Sequence, residues 1–257
     1  TEQLKVIGKS LEKRVLSALL EMQKTNRRTY EEVWKEVGKA IKGGIYMSYK
    51  NKESLQDLVM FPSSYKENGF VTFKEYVKDL QEGQSFIYFA SGKDLDTIQR
   101  MPQMEIFREK NVEVLYFLDK VDEFMAQNLD EYEGKKLMSI TRKDLDLDNI
   151  IEEELKDTDR LEKEKREEQK KQKEEKYKDL FAIMKKHLGE KVSEVRVSQR
   201  LINSPVCLVA GNTGSTFNME QLLKGANQIA PKASKIMELI ERHQVFTVLQ
   251  DMYDKDK

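Results

Sequence analysis

Two short apolar runs, separated by a helical segment, constrain the fold of this chain more than any other feature. The runs Phe86–Ala90 and Val112–Leu118 are rich in aromatic and branched side chains, which favours strands. Residues Leu95–Lys110 lie between them and have helical periodicity, with an interruption at Pro102. A strand–helix–strand connection of this length requires the two strands to pair in parallel.

The domain built around this unit is predicted to span residues 51–148, with helices on both faces of its sheet in three αβα layers. Thr72 and Glu75 have capping-box spacing, in which each side chain accepts an N–H at the start of a helix. The other elements predicted here are a helix over Ser54–Met60 closed by Pro62, a helix from Thr72 to about Gly83, and a strand over Lys136–Thr141. We therefore expect a mixed α/β fold class.

A helical connector is predicted over residues 1–50. Apolar residues recur three and four positions apart in Leu4–Met22 and again in Tyr30–Ile41, which indicates two amphipathic helices. Gly43–Gly44 favours an end to the second helix. We expect the two helices to pack antiparallel, with Trp34 as a buried anchor.

A change in composition separates the small domain from a C-terminal domain. Residues 149–178 consist largely of acids and bases, many of them paired four positions apart, which predicts a solvated helix or a frayed linker. We expect residues 179–257 to form a small α+β domain. Its predicted elements are helices over Tyr177–Leu188, Phe217–Asn227 and His243–Met252, and strands over Val192–Val197 and Pro205–Ala210. The periodicity of Ile236–Ile240 is ambiguous between helix and strand.

The composition argues against several classes of protein. The chain has 45 basic and 46 acidic residues, and this balance argues against a general nucleic-acid binder. Its single cysteine, Cys207, cannot form an internal disulfide, which fits a reducing compartment. No apolar run approaches the roughly 20 residues that span a bilayer, and the start has no signal-peptide pattern. We expect a cytoplasmic protein, and the missing initiator methionine suggests a fragment of a longer one.

A possible calcium loop lacks the residues that calcium binding requires. Asp144, Asp146 and Asp148 alternate as the first ligands of such a loop do. Asn149 and Leu155 stand where the loop needs a glycine and a glutamate. Solvated acids in a linker explain this segment better.

Motifs for phosphate, zinc and catalysis are also incomplete. The turn Ser91–Lys93 follows a strand, as a phosphate-binding loop does, but it lacks the earlier glycine, and Asp94 replaces the required hydroxyl residue. His187 and His243 have no spacing with Cys207 that predicts zinc binding. We therefore predict no catalytic residue, no metal and no cofactor in this chain.

Two predicted helices carry apolar side chains whose role the sequence leaves open. Phe124 follows acidic residues at a helix start, and its neighbour Met125 fits a core position as well as a surface one. Met219, Leu222 and Leu223 have the spacing of one helical face. Such a stripe usually packs into a core. The alternative is a mobile helix that binds unfolded chains through adaptable side chains.

Several segments form an ordered pattern along most of the chain. They are Tyr76–Gln84, Ile87–Gly92, Glu123–Leu129, Asp130–Leu137 and Val195–Pro205. In this order they resemble the ninety-kilodalton heat-shock protein family of chaperones, particularly its bacterial members. The resemblance covers the end of that family's middle domain and most of its C-terminal domain, without the final dimerisation helices. It implies that Ile236–Ile240 forms a third strand of the C-terminal domain.

The resemblance implies binding of unfolded or partly folded client proteins where those two domains face each other. Family members often have tryptophan where Phe124 stands. Positions matching the family's client-binding surface are Glu123, Phe124, Gln127, Met219, Leu222 and Leu223. ATP and magnesium would bind a domain that precedes Thr1. The resemblance also implies co-chaperones and a homodimeric parent protein, whereas we expect this chain to be a monomer that binds neither nucleic acid nor membrane.

Two other functions remain open at the level of the sequence. The strand–helix–strand unit is also typical of modules that bind a nucleotide or a phosphate at their strand ends. Alternatively, the charged segment fits a purely structural adaptor that does not bind unfolded chains.

Overall fold

Helices and strands are mixed throughout the chain, which confirms the expected α/β class. The computed structural model describes residues 2–47, 52–145, 150, 168–169, 171–211, 216–225 and 234–255. Two units are distinguished by their internal packing. Unit 1 comprises Thr1–Leu80, Phe86–Leu95 and Glu113–Leu137, and unit 2 comprises Gln81–Ser85, Asp96–Val112 and Met138–Lys257.

Two long helices, α1 (Glu2–Thr25) and α2 (Arg27–Met47), begin unit 1. Only Asn26 separates them. Its N–H donates to the Met22 carbonyl (2.8 Å) and its carbonyl accepts the Tyr30 N–H (3.0 Å), so helical bonding is almost continuous. Five apolar residues in the N-terminal part of α1 are more than half exposed, namely Leu4, Val6, Ile7, Leu11 and Val15. The predicted antiparallel packing is therefore wrong for this part of α1, because α2 does not cover its apolar face.

Helix α2 does not end at Gly43 and Gly44 as predicted, but continues to Met47. A Cβ added at Gly44 would lie 3.0 Å from the Leu55 side chain. Glycine at this position therefore serves the close approach of a neighbouring segment and not the termination of the helix. Trp34 is buried in the core of unit 1, as expected.

A mixed sheet of six strands, in the order β2-β1-β4-β3-β6-β5, occupies the next part of the chain. β3 pairs in parallel with β4, and Phe89 lies opposite Leu115, which confirms the predicted crossover. β1 is antiparallel to both β2 and β4. The strands are β1 (Met60–Ser63), β2 (Lys66–Thr72), β3 (Phe86–Ser91), β4 (Leu115–Phe117), β5 (Glu131–Tyr132) and β6 (Lys135–Ser139).

Strand β1 occupies a segment that the sequence analysis assigned to a helix ended by Pro62. Helix α3 (Lys52–Gln56) is short, and Met60 already belongs to β1. The register of β1 with β2 shifts between Phe61 and Ser63, at Pro62 itself. A bulge of this kind accommodates a residue without an N–H inside a sheet.

Four further helices accompany these strands: α4 (Phe73–Lys78), α5 (Leu95–Gln99), α6 (Met104–Glu109) and α7 (Lys120–Asn128). The predicted capping box is confirmed. The Thr72 hydroxyl accepts the Glu75 N–H (3.1 Å), and the Glu75 carboxylate accepts the Thr72 N–H (2.8 Å). Helix α4 ends at Lys78, earlier than predicted, whereas the break between α5 and α6 confirms the predicted interruption at Pro102.

Unit 2 contains a three-stranded sheet in the order β7-β9-β8, whose predicted third strand is confirmed. β9 is parallel to β7 and antiparallel to β8. Tyr177, Phe181 and Phe246 contact one another in the core of this unit. Its elements are α8 (Lys178–Leu188), β7 (Glu194–Val197), β8 (Val206–Ala210), α9 (Phe217–Gly225), β9 (Lys235–Leu239) and α10 (Gln244–Lys255).

A buried ionic network fixes the sheet of unit 2. Arg200, 1% exposed, donates to the Glu238 carboxylate (2.9 Å) and to the carbonyls of Ile140 (2.9 Å) and Arg142 (3.0 Å). Arg196 donates to the same carboxylate (2.6 Å). The guanidinium of Arg200 therefore ties the chain after β6 to the strand β9.

Most of the charged segment predicted at 149–178 falls outside the described residues. Residues 146–149 and 151–155, which include most of the calcium-like pattern, also fall outside them. In the described part of the chain, no helix is both long enough and apolar enough to cross a bilayer.

Candidate functional site

Helix α7 carries the first group of predicted contact residues, in unit 1. Met125 lies in the core with no exposed surface, and Phe124 is half-buried. Gln127 is exposed, whereas Glu123 is only 4% exposed. The helix therefore presents Phe124 and Gln127 at the surface, and Glu123 lies beneath them.

A buried lysine holds the start of α7 against α2. Lys42 Nζ lies 2.6 Å from Asp122 Oδ1 and 3.2 Å from Asp119 Oδ2. It also lies over the rings of Phe61 (4.8 Å) and Trp34 (5.6 Å). An ammonium group with only 5% of its side chain exposed needs such partners, because burying an unpaired charge is costly.

The pKa values of the two aspartates in this cluster are shifted in opposite directions. Burial raises the pKa of Asp122, and the attraction of Lys42 only partly opposes the rise. Burial also acts to raise the pKa of Asp119, but Lys42 and Lys39 outweigh it, so this pKa is lowered. Asp119 is closer to solvent and pairs with Lys39 as well (3.1 Å), which explains the difference.

Phe124 forms an aromatic pair with Tyr46 at the end of α2. Their ring centroids are 5.3 Å apart with an interplanar angle of 50°. The Asn128 side chain donates to the Tyr46 carbonyl and fastens α7 to this end of α2. Tyr46 is 42% exposed, and the following residue, Met47, is 85% exposed. We call Tyr46, Phe124 and Gln127 the aromatic patch.

Sequence reasoning missed Tyr46 and Met47, because it ended the helix before them at Gly43–Gly44. A signal was available. Tyr46 is an aromatic residue four positions after Lys42, which is one helical turn.

Helix α9 carries the second group of predicted contact residues, in unit 2. The Thr216 hydroxyl accepts the Met219 N–H (3.1 Å) and so caps the start of the helix. Met219 is 2% exposed and is a packing residue in this conformation. Leu222 and Leu223 are half-buried, and each retains some accessible apolar surface. We call Met219, Leu222 and Leu223 the apolar stripe.

A cleft of about 740 Å³ adjoins α9 within unit 2. Among the described residues, its lining is mixed in charge and includes Glu190, Lys191, Ser193, Glu220, Lys224 and Lys235. Glu220 is buried and forms an ion pair with Lys224 one turn further along α9. Polar side chains therefore flank the apolar stripe on this side.

Two other features that the sequence raised, the turn after β3 and Cys207, lie among the described residues. In the turn after β3, Lys93 is 80% exposed beside Asp94 (3.7 Å), and the Gly92 N–H donates to the Phe117 carbonyl (3.1 Å), as in an ordinary strand end. Burial raises the pKa of Cys207 to about 12, so its thiol is unreactive. No group of three metal-binding side chains occurs within the described ranges.

Comparison with known proteins identifies relatives over the full length of the chain. The family model described as Hsp90 protein matches residues 1–257. The chain is 41% identical over 256 residues to the chaperone protein HtpG of Geobacter sulfurreducens and 39% identical over 257 residues to that of Bacillus subtilis. In both cases the match covers 99% of this chain and 38% of the relative. The chain therefore spans less than two-fifths of the length of these relatives.

Proposed function

Because the chain belongs to the Hsp90 protein family, we propose that it supplies client-binding surfaces to a chaperone. The observation that carries this proposal is the aromatic patch. Tyr46 and Phe124 keep accessible ring surface although a core lies beside them. Aromatic side chains provide large contact areas at low entropic cost, which suits binding to many apolar segments.

The rigidity of the aromatic patch supports this function. The Lys42 cluster and the Asn128 hydrogen bond fasten α7 to α2. A client segment that binds there meets rings already held in position, so less conformational entropy is lost on binding.

The apolar stripe is proposed as the second client-binding surface. Leu222 and Leu223 contact the client, while Met219 supports them from below and adapts to a shift of the helix because its side chain is flexible. The neighbouring cleft has enough room for side chains of an extended polypeptide.

The remaining properties concern the longer protein to which this chain is proposed to belong. We propose that ATP and magnesium bind outside residues 1–257, and that this chain by itself neither hydrolyses nor binds nucleotide. Co-chaperones and a homodimeric state belong to the longer protein, in the cytoplasm, whereas the isolated chain is proposed to be a monomer. An apparent mass near twice 30.2 kDa in solution would contradict the last point.

A client-aggregation assay tests the proposal. The chain is mixed with a chemically denatured client protein, and light scattering is followed as denaturant is diluted. We expect the wild-type chain to suppress aggregation, and Phe124→Ala or the double change Leu222→Ser/Leu223→Ser to weaken client binding by about 5- to 30-fold.

Matched controls remove apolar surface elsewhere in the same units. Leu95→Ala serves for unit 1 and Ile183→Ser for unit 2, since both side chains are about two-fifths exposed. Circular dichroism confirms folding of every variant. If controls and site variants suppress aggregation equally, the named surfaces are not the binding surfaces. If the wild type does not suppress aggregation at all, the adaptor function is favoured.

A further inference from the structure

One carboxylate on α6 accepts hydrogen bonds from an entire turn of unit 2. Glu105 Oε2 accepts the N–H groups of Ile202 (2.7 Å) and Asn203 (3.0 Å). Glu105 Oε1 accepts the N–H of Ser204 (3.1 Å) and also its hydroxyl. All four donors converge on a single side chain nearly 100 positions away in sequence.

Consecutive backbone N–H groups that point to one place form an anion-binding concavity. Hydrogen bonds to a charged acceptor are roughly twice as strong as neutral ones. Burial acts to raise the pKa of Glu105, but the hydrogen bonds from the Ser204 hydroxyl and the three N–H groups outweigh it, so the pKa is lowered. The group in the concavity is therefore a carboxylate anion.

Contacts that do not involve Glu105 shape the turn. The Ser198 hydroxyl accepts the N–H groups of Arg200 (3.2 Å) and Leu201 (3.2 Å) just before it. Arg242 donates to the Ile202 carbonyl on the opposite side (2.9 Å). Arg200 is itself held by the buried network around Glu238. The turn is therefore also held by hydrogen bonds that do not depend on Glu105.

The path of the chain gives this contact its importance. Residues Asp96–Val112, which contain α6, belong to unit 2, whereas the flanking stretches Phe86–Leu95 and Glu113–Leu137 belong to unit 1. One further side chain, Gln103, attaches this segment by donating to the Leu208 carbonyl (2.6 Å). The segment is thus joined covalently to unit 1 at both ends and to β8 and the turn by hydrogen bonds.

We propose that residues 202–204 form an anion-binding site for carboxylate or phosphate oxygens, and that Glu105 is its releasable resident ligand. While Glu105 occupies the site, the segment 96–112 is fastened to unit 2. When Glu105 withdraws, the vacated N–H groups bind another anion. This inference stands independently of client binding.

The test combines amide hydrogen exchange with anion rescue. In Glu105→Ala we expect exchange of the 202–204 amides to accelerate at least about tenfold, since bonds to a charged acceptor are lost. The amides of β8 should keep their wild-type rates. Millimolar formate or inorganic phosphate should restore the protection in a saturable way, whereas sodium chloride of equal ionic strength should not.

Two variants provide controls. Glu109→Ala, an exposed glutamate on the same helix, should neither lose protection nor respond to formate. Glu105→Gln keeps the shape but offers one acceptor oxygen and an amide that faces the donors, so it should lose part of the protection. This second variant carries the test if Glu105→Ala does not fold. Unchanged exchange in both Glu105 variants overturns the proposal, as does lost protection that formate and phosphate fail to restore.

Discussion

Replacing Lys42 with methionine is expected to destabilise unit 1 by about 3 kcal/mol at pH 7.5. Methionine retains most of the apolar stem but removes the charge that pairs with Asp122, whose side chain is 1% exposed. Removing one partner of a buried pair costs about 3–5 kcal/mol, because the other charge stays buried and unpaired. The loss should lie at the lower end of this range, because Asp122 can take up a proton and so does not remain as a buried, unpaired charge.

The pH dependence of this loss follows from Asp122. Burial already raises its pKa in the folded state, and without Lys42 that pKa rises further. The folded state then binds a proton more tightly than the unfolded state, so stability increases as pH falls through the folded pKa. We therefore expect the deficit of Lys42→Met to shrink between pH 7.5 and pH 5.

Urea unfolding followed by the fluorescence of Trp34 measures this loss, because Trp34 belongs to the same core and is the single tryptophan. Lys39→Ala is the control. It breaks a pair whose lysine is 75% exposed, which should cost only about 0–1 kcal/mol. The double change Lys42→Met/Asp122→Asn should recover most of the stability. A loss for Lys42→Met no larger than that for Lys39→Ala would refute the argument.

Three further substitutions and one thiol-labelling experiment have definite expected outcomes. Gly38→Ala brings a Cβ to 2.9 Å from the Trp34 ring and should lower the urea midpoint, at a cost of about 1–3 kcal/mol. Gly8→Ala is the matched control: a Cβ there meets open space, so this change should raise stability by about 0.5–1 kcal/mol. Thr72→Ala removes a helix cap and should lower the thermal midpoint, at a cost of about 1 kcal/mol. With a pKa of about 12 and little exposure, Cys207 should react with a colorimetric thiol reagent at pH 8 only as fast as unit 2 unfolds; a rate equal to that in denaturant would contradict this.

Local patterns predicted much of the fold because local physics determines those elements. The crossover between β3 and β4 follows from the length of its connection, and the cap at Thr72 follows from a spacing of three residues. Strand β9 was predicted with help from the family resemblance and is confirmed.

The incorrect predictions concern segments whose structure depends on contacts with residues distant in the sequence. Pro62 signals a break locally, but pairing on both sides of β1 retains it in a strand at a bulge. Gly44 favours a helix end locally, but α2 continues past it, and the missing side chain leaves room for Leu55 to pack closely. The contact between Glu105 and the 202–204 turn joins residues nearly 100 positions apart, and no spacing rule predicts it.

The candidate site was predictable only in part. Phe124 and Leu222 could be named as candidates from the helix pattern and the resemblance, whereas Tyr46 was missed because the helix was predicted to end before it, and its contact with Phe124 appears only in the structure. The burial of Met219 could not be read from its spacing, since one helical face serves a core or a surface equally well.

Site-specific photo-cross-linking measures most directly whether the aromatic patch binds clients. A photoreactive residue at Gln127, which is exposed beside Phe124, is compared with one at Lys35, which is exposed elsewhere in unit 1. With a denatured client, we predict strong cross-links from position 127, weak ones from position 35, and loss of the former when Phe124→Ala is added. Equal yields at the two positions, or yields unaffected by Phe124→Ala, would contradict client binding at this patch.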